Sequence, residues 1–542
     1  MDKTNLATLD ANCNGNSSSE KNPSEIRANP GRSSTQLADG NSRSRPIGAP
    51  DFEARTLPSV NAGNTYLATL TKTALKHLQM ANTPPYLFRH GGFPAWLEWG
   101  DDGAAFVRIL NDDHVRHELA RTMRWGEIKN EANKWIPVLP PMAVVKDIMA
   151  TPNLPFPVLD AIVQVPVFGR DGRIQLTPGY HPSSRTYYLP EPGFNITPIL
   201  ENPSPVDVTR ARQLLDELIV DFPCLSEADK AHGVAFSLLF YARNLIKGPT
   251  PLHLVEKPTP GTGATLLINA LTWPAIGRPL PAMSEATDDE EWRKRITAQL
   301  RTGPAGIVID NVRRPLDSAA LAAAITATVW EDRLLGHNHI LRLPVRCAWA
   351  ATANNPALSP EIARRTVRIR LDAKLERPWL DRQFRHPELM AWVMENRAEL
   401  VWAHLVLTQA WIAAGRPRFA KKLGMFEGWS EVIGGILEVA SIPGFLGNLA
   451  ELYETSDPEE NAFDDFIHSW WLEFGDKSVG VNELLKLAQQ RLDLGGNTPQ
   501  AEKIRLGKLL NRNRERRFGQ LRLAKAAKYQ GSVQWKLVLI KE

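Results

Sequence analysis

The sequence predicts an α/β fold built on a parallel sheet, because three apolar runs of strand length each lead into polar residues. The first run begins at Leu252 and leads into a glycine-rich loop at 257–265. The second run ends at Asp310 and the third at Asn354. Buried parallel strands have continuous apolar sequences, and ligands bind at their carboxyl ends. We therefore expect the functional residues to meet at one edge of this sheet.

The loop 257–265 reads KPTPGTGAT and is followed by the apolar helix that begins near Leu266. A strand, a glycine loop and a helix in this order form a phosphate-binding loop, in which backbone N–H groups and the helix dipole face an anion. We expect this loop to bind a nucleotide. The candidate contacts are Lys257, Pro260, Gly261, Thr262, Gly263, Ala264 and Thr265.

The acid at the end of the second strand, Asp310, is expected to hold Mg²⁺ together with Thr265. Asn354, at the tip of the third strand, suits contact with a γ-phosphate or its attacking water. The pair Arg364–Arg365 follows soon after and suits an arginine finger, which often acts across a subunit interface. The same arginines could instead form salt bridges at a helix end. The candidate catalytic residues are Asp310, Asn311, Asn354, Arg364 and Arg365.

These motifs, in this order, resemble those of the AAA+ ATPases. Together with the segment 330–336 they resemble the superfamily-three-like helicase half of phage and mobile-element primase–helicases, over residues 205–450. The resemblance implies a ring-forming, hexameric protein with ATP and Mg²⁺ as cofactors. It implies an ATP-binding DNA helicase or translocase that acts in replication of a phage or integrated element. Implied partners are DNA, further copies of the chain, and a separate primase or polymerase.

The chain departs from the family pattern at three positions. Pro258 replaces the first glycine of the loop, and Ala264 replaces its lysine. Asn311 stands where the family has a second acid directly after the Walker B aspartate, here Asp310. Without the lysine, the β- and γ-phosphates lack the positive charge that usually contacts them. Ala264→Lys is therefore expected to strengthen nucleotide binding. Lys257 could reach in from the loop entrance instead. The acidic run 288–291 could supply a base, or it could simply favour the start of a helix.

Whether the chain hydrolyses ATP is therefore left open. The alternative to a helicase is a non-hydrolysing, AAA+-like DNA-binding initiator or scaffold protein, in which the degenerate Walker A motif is a true loss. A third candidate is a regulatory nucleotide-binding ATPase with a protein client. The salt dependence of DNA affinity would separate the first two candidates from the third.

Composition shifts along the chain predict five segments. The first is rich in Asn, Ser, Pro and Gly and has too little apolar surface to offset the entropy of ordering. The last has two helices followed by a predicted two-stranded wing. The segments are a disordered arm (1–64), an N-terminal α+β module (65–205), an AAA+-type P-loop core (206–375), a helical lid (376–460) and a winged-helix domain (461–542).

Two regions are candidates for DNA contact. In helicases of this class a hairpin between the second and third strands reaches the central pore, and His337 and His339 would lie at its turn with Arg342 or Arg346 on its flank. An ordinary solvated loop is the alternative. Basic side chains of the winged helix suit phosphate contacts without base specificity. They are Lys508, Arg512, Arg514, Arg516, Arg517, Arg522 and Lys528.

The overall composition excludes several protein classes. The 542 residues are 43% hydrophobic and carry a net charge of only +4, so nucleic-acid binding must come from local basic clusters. The three cysteines lack metal-site spacing and fit a reducing compartment. No apolar signal core begins the chain, and the apolar stretch 432–449 contains Glu438 and Pro443. We expect a cytoplasmic protein without a membrane span.

Overall fold

The computed structural model describes the greater part of the chain. The described residues are 45–50, 56–63, 66–129, 134–259, 261–333, 340–375, 377–378, 382–456, 458–495, 498–529 and 532–540. Three candidate site residues lie outside this set, namely Pro260, His337 and His339. Most of the predicted arm, 1–64, also lies outside it.

Three helices and two three-stranded sheets form the first part of the N-terminal module. Strands β2, β3 and β4 are antiparallel, while β1 pairs in parallel with β5, which pairs with β6. Apolar side chains of the three helices, including Leu78, Leu119 and Val144, share one buried cluster. The elements are β1 (Ser59–Asn61), α1 (Leu67–Ala81), β2 (Leu87–His90), β3 (Phe93–Trp99), β4 (Ala105–Ile109), α2 (Asp112–Thr122), β5 (Arg124–Lys129), β6 (Lys134–Pro137) and α3 (Met142–Ala150).

Short strands complete the module. A three-stranded sheet has the order β10-β11-β7, and β8 and β9 form a separate hairpin. These strands are β7 (Ala161–Val163), β8 (Val167–Phe168), β9 (Ile174–Gln175), β10 (Gly179–His181) and β11 (Thr186–Tyr188).

The described end of the predicted arm is ordered. Ile47 is buried, and its N–H donates to the carbonyl of Leu97 at 2.8 Å. Strand β1 gains backbone hydrogen bonds from β5, and Val60 is buried within it. Strand pairing and these two apolar side chains offset the entropy of ordering in this part of the segment that was predicted as the arm.

The central region is an α/β unit in which helices alternate with the strands of a parallel sheet. Helix α5 is buried on nearly all sides, as expected for a helix that is apolar all round. The elements are α4 (Pro205–Ile219), α5 (Glu227–Ala242), β12 (Leu252–Lys257), α6 (Ala264–Ile276), β13 (Ala282–Met283), α7 (Asp289–Leu300), β14 (Gly306–Val312), α8 (Ala319–Thr326), β15 (Val329–Arg333), β16 (Ile340–Pro344), β17 (Ala348–Asn354), α9 (Pro360–Ala363) and β18 (Thr366–Arg370).

The predicted parallel sheet is confirmed. Its five strands have the order β13-β14-β17-β12-β18, and every neighbouring pair is parallel. The register places Lys257 of β12 beside Asn354 of β17, and Ala353 beside Val312 of β14. The carboxyl ends of β12, β17 and β14 therefore meet at one edge, as the sequence predicted.

Four helices follow the sheet among the described residues: α10, α11 and α12 pack against α4, α5 and α6, and α13 packs against α9 and β18. Trp402, Trp411 and Trp429 are buried among them and belong to the same hydrophobic core as the sheet. These helices are α10 (Leu389–Glu395), α11 (Arg397–Ala413), α12 (Glu427–Val439) and α13 (Leu449–Ser456). No helix among the described residues combines the length and the apolar character needed to cross a membrane.

The C-terminal part has three helices, a four-stranded antiparallel sheet of order β19-β22-β21-β20, and its own hydrophobic cluster. The first helix begins at Pro458, so the predicted boundary at residue 461 falls inside it. The elements are α14 (Pro458–Phe474), β19 (Val479–Gly480), α15 (Val481–Arg491), α16 (Pro499–Arg512), β20 (Arg517–Phe518), β21 (Leu521–Tyr529) and β22 (Ser532–Leu539).

Candidate nucleotide site

The loop after β12 turns sharply onto the start of α6. Gly261 and Gly263 have φ angles of 81° and 101°, in the left-handed region that favours glycine. The hydroxyl of Thr262 donates to the carbonyl of Thr259 at 2.8 Å, which closes the turn. Gly263 is the N-cap of α6 and supplies no side-chain cap, so first-turn N–H groups are available to an anion.

The structure brings together the two residues predicted to hold a metal ion. Thr265 lies exposed in the first turn of α6, and its hydroxyl donates to Oδ1 of Asp310 at 3.1 Å. A second hydroxyl, that of Thr352 in β17, donates to the same oxygen at 2.7 Å. Thr352 also accepts the backbone N–H of Asn311 at 2.7 Å, so it fixes both the acid and the residue that follows.

One carboxylate and one hydroxyl beside a phosphate-type loop fit Mg²⁺ bound with a nucleotide. Mg²⁺ usually keeps several waters and takes one or two carboxylates plus phosphate oxygens from the substrate. Within the described ranges, no cluster of three or more His, Cys, Asp or Glu residues could hold a metal ion. The donor set therefore fits an ion that arrives with ATP rather than one held by protein ligands alone.

Asn311 occupies a bulge in β14 between Ile309 and Val312. Its φ angle is 56°, a conformation that asparagine tolerates better than most residues. With the amide oriented so that its oxygen faces Arg313, it accepts from Nε at 3.2 Å and from Nη2 at 3.1 Å. The side chain is therefore bonded to Arg313 and cannot replace a carboxylate as a proton acceptor.

The position of the missing lysine is closed. Ala264 has no exposed surface, and a Cβ on Gly263 would lie 3.4 Å from the ring of Phe222. Because Ala264 is fully buried, a lysine at this position would have to displace its neighbours before its side chain could reach the phosphates. The expected gain in affinity from Ala264→Lys therefore carries a packing cost that the sequence did not reveal.

The other two polar positions at this edge are adjacent. Asn354 is exposed at the end of β17, directly beside Lys257 in the register of β12. The carbonyl of Lys257 accepts the N–H of Asn355 at 3.2 Å, which joins the two strand ends. Both side chains therefore belong to the same edge as Thr265 and Asp310.

The two arginines after α9 differ sharply. Arg364 has a side chain that is 59% exposed and pairs with Glu361 of its own helix. Arg365 is only 9% exposed, donates to the carbonyls of Ala322 and Glu361 at 3.2 and 2.7 Å, and pairs with the Glu361 carboxylate. Arg365 thus joins α8 to α9, whereas the Arg364 side chain faces solvent.

Two residues of this region were missed from the sequence. Thr352 is the one hydroxyl in an otherwise apolar strand, and that contrast was a usable signal. Glu285 accepts the backbone N–H groups of Arg313 and Arg314 at 2.9 and 3.0 Å and so orders the turn after the acid strand. Its role depends on a contact across the sheet edge that no local pattern indicates.

Strands β15 and β16 form an antiparallel hairpin at the position predicted for the pore hairpin, and its role at a pore stays a prediction. The first strand is fixed to α7, because Asp332 accepts from Thr297 at 2.6 Å and pairs with Arg293 at 3.0 Å. Arg342 is exposed and pairs with Glu331 across the hairpin at 2.8 Å. Arg346 donates to Asn244 at 2.9 Å instead, so it is not a flank of the hairpin. The turn with His337 and His339 lies outside the described residues.

The basic residues of the C-terminal part fall into two groups. Arg522 pairs with Glu515 at 2.5 Å, and Arg516 lies 5.2 Å from the ring centroid of Phe518 and bonds Asn513. The other residues are exposed at the end of α16, in the turn after it, or at the end of β21. They are Lys508, Arg512, Arg514 and Lys528, together with Arg517, which is exposed at the start of β20.

No protein-family model matches the chain, and no curated protein matches it. Among solved structures, the apo C-terminal region of NrS-1 is 12% identical over 82% of this chain and 96% of that chain, with a TM-score of 0.40. The JCV helicase is 14% identical over 47% of this chain and 71% of that chain, with a TM-score of 0.20. At these values the similarities carry no argument about function, which rests on the residues described above.

Proposed function

We propose that the chain is a ring-forming, ATP-binding protein of the DNA helicase or translocase type, acting in replication of a phage or integrated mobile element. The observation that carries this proposal is the hydrogen bond from Thr265 to Asp310 at the carboxyl edge of the parallel sheet. It joins a hydroxyl at the start of a helix to an acid that ends a buried strand. This pairing, beside a glycine loop, is what P-loop ATPases use for Mg²⁺ and phosphate.

Each residue of the edge has a defined part in this proposal. The first-turn N–H groups of α6 would bind phosphate oxygens, and Thr265 and Asp310 would hold Mg²⁺, whose positive charge would offset that of the bound phosphates. Thr352 orients Asp310 through their 2.7 Å hydrogen bond. Asn354 faces the γ-phosphate or its attacking water, and Arg364 of a neighbouring subunit supplies the arginine finger.

The second candidate function is a non-hydrolysing initiator or scaffold of the AAA+ type that binds DNA. It is favoured by two observations at the same edge. Ala264 is fully buried where a lysine is usual, and Asn311 is bonded to Arg313 where a second acid is usual. In this case nucleotide binding would stabilise the assembly without turnover.

Phosphate release with and without single-stranded DNA separates the two candidates, with Asp310→Ala as the control. DNA-stimulated release that Asp310→Ala abolishes supports the helicase or translocase. Nucleotide binding that requires Asp310, without release, supports the scaffold. A chain that binds no nucleotide in the presence of Mg²⁺ contradicts both.

A further inference from the structure

An open groove of about 1030 Å³ lies in the C-terminal part, away from the sheet edge described above. Its walls are the first two turns of α16, the start of α15, and the far end of the β21–β22 hairpin. None of these elements belongs to the proposed nucleotide site.

The groove exposes apolar and basic side chains side by side. Tyr529 is 66% exposed and Ile504 is 52% exposed, and both line the groove. Lys503 and Lys528 also line the groove. The acid in the lining, Glu483, is already engaged, because its carboxylate accepts the backbone N–H of Gly480 at 2.6 Å.

The groove is continuous with the basic end of α16. Ile504, Lys508 and Arg512 are spaced four residues apart and are all exposed, so they form one row along the helix. A chain lying in the groove at Ile504 and leaving along this row would pass the basic side chains in succession. A negatively charged, extended ligand fits this arrangement.

We propose that this groove binds a single strand of nucleic acid, with one base stacked on Tyr529 and adjacent phosphates at Lys503 and Lys528. An aromatic face beside a positively charged groove is the general arrangement for single-strand binding without sequence preference. The inference rests on the proposed function only in taking nucleic acid as the partner. It adds a site and a strand form that the basic end of α16 does not specify.

An acidic peptide is the competing occupant. Its carboxylates could form ion pairs with the two lysines. It has no flat aromatic group to stack on the exposed ring of the tyrosine. Each nucleotide of a single strand carries both a base, which can stack on an aromatic ring, and a negatively charged phosphate. The groove therefore favours a nucleic acid over a peptide.

The test uses the full chain and fluorescence anisotropy with an oligothymidine of about 12 nucleotides, within the range that one small domain covers. Tyr529→Ala is expected to weaken single-strand binding about tenfold, whereas Tyr529→Phe, which keeps the ring, is expected to retain it. Lys503→Ala is expected to weaken binding and flatten its salt dependence by about 0.7. Tyr66→Ala, which removes a 75% exposed tyrosine before α1, is the matched control.

Three results would overturn the inference. If the wild type binds DNA and Tyr529→Ala binds it equally well, the groove is not the single-strand site, and the proposed function is unaffected. Loss of binding in Tyr529→Phe equal to that in Tyr529→Ala would exclude stacking. If the wild type binds poly-glutamate, and Tyr529→Ala abolishes this binding but leaves oligothymidine binding unchanged, the groove binds an acidic peptide. A wild type that binds no DNA at all contradicts the proposed function itself.

Discussion

At the scale of single residues, the site depends on one carboxylate held by two hydroxyls. Thr265 and Thr352 both donate to Oδ1 of Asp310, so the acid is oriented before any ligand arrives. Sites that are ordered in this way lose little freedom on binding. The contribution of Asp310 should therefore come from its charge as well as its position.

We predict that Asp310→Ala and Asp310→Asn both abolish the Mg²⁺-dependent part of nucleotide binding. Loss of a charge-assisted contact costs about 1.5–3 kcal/mol, or roughly a ten- to hundredfold loss of affinity. Titration of a fluorescent ATP analogue with and without Mg²⁺ measures it. Thr265→Ser, which keeps the hydroxyl, is the matched control. Unchanged Mg²⁺ dependence in Asp310→Asn would remove this acid from the metal site.

His253, in the middle of β12, is a buried histidine with weak polar surroundings. It lies among aromatic rings, 5.0 Å from Phe236 and 5.7 Å from Trp429 between ring centroids. Neither of its ring nitrogens has a hydrogen-bond partner among the described residues, and burial, with His232 nearby, lowers its pKa to about 3. It is therefore neutral in the folded state at neutral pH.

We predict that this histidine makes the protein less stable in mild acid. The folded-state pKa lies below the ordinary value, so the unfolded chain binds the proton first as the pH falls below about 6.5. The free energy of unfolding should drop by roughly 2 kcal/mol at about pH 5 for this one group. Urea denaturation at about pH 7.5 and about pH 5 should show a smaller drop in His253→Phe.

The control for this comparison is His468→Gln, because the His468 side chain is 54% exposed. It should lose stability in acid as the wild type does. His404, whose pKa burial lowers to about 4, contributes to the same loss and stays in both variants. An equal drop in His253→Phe and wild type would contradict the assignment.

The sequence was informative about residues wherever a polar group ended an apolar strand. Thr265 and Asp310 were predicted as a pair and lie in contact. The distinction between Arg364 and Arg365 could not be predicted, because it depends on whether a side chain faces α8 or solvent. The asparagine at 311 looks like a loss in the motif, yet the left-handed φ angle gives it a local structural reason.

At the scale of elements, the two arginines that follow α9 face different surroundings: Arg364 is exposed and Arg365 is buried. Arg365 bonds two backbone carbonyls and a carboxylate, so its removal leaves buried acceptors unpaired. Arg364 pairs with the exposed Glu361. The two neighbours should therefore give opposite phenotypes.

We predict that Arg365→Ala lowers stability by about 1–3 kcal/mol, whereas Arg364→Ala changes it by less than about 0.5 kcal/mol. If the chain hydrolyses ATP, Arg364→Ala should reduce turnover by about a thousandfold. Mixing Arg364→Ala with Asp310→Ala subunits should then restore part of the rate, because some interfaces carry both native residues. No restoration would argue against a finger acting in trans.

The end of α16 is the second element with a specific expectation. Arg512, Arg514 and Arg517 are exposed, whereas Arg516 and Arg522 have partners within the same part of the chain. Changing only the three exposed arginines to alanine should spare the fold. Surface changes away from caps and cores usually cost little.

We predict that this triple variant binds unrelated duplex sequences equally weakly and with a salt slope lower by up to about 2.7. Anisotropy titrations over a range of salt concentrations measure the slope. The control replaces three exposed lysines of the N-terminal module, Lys72, Lys76 and Lys146, with alanine. If both triples lose affinity equally, overall charge rather than this helix end explains DNA binding.

The element order was predictable from apolar periodicity, and the five-stranded sheet confirms its central part. The ends of the core were less predictable. Strand β1 has only three residues, and its order depends on pairing with β5, more than sixty positions later in the chain. Helix α14 begins at Pro458, inside the segment that was predicted as the end of the helical lid.

At the scale of the whole molecule, the buried apolar residues after position 205 belong to two separate hydrophobic cores. The larger joins the sheet to α4, α5 and the helices after it, ending at Leu452. The smaller contains only residues between Phe463 and Leu537. A cluster that closes on itself marks a part of the chain that can fold alone.

We predict that residues 458–542 fold as an independent unit. The fragment of about 85 residues exceeds the size below which small domains usually need disulfides or metals. It should unfold cooperatively in urea and should bind DNA with a salt slope close to that of the full chain. Trp470, fully buried in its cluster, is the control position. Trp470→Ala should cost about 3–5 kcal/mol and unfold the fragment. A wild-type fragment without a cooperative transition would show that this core needs the rest of the chain, and DNA contact would then have to be assigned to the assembled protein.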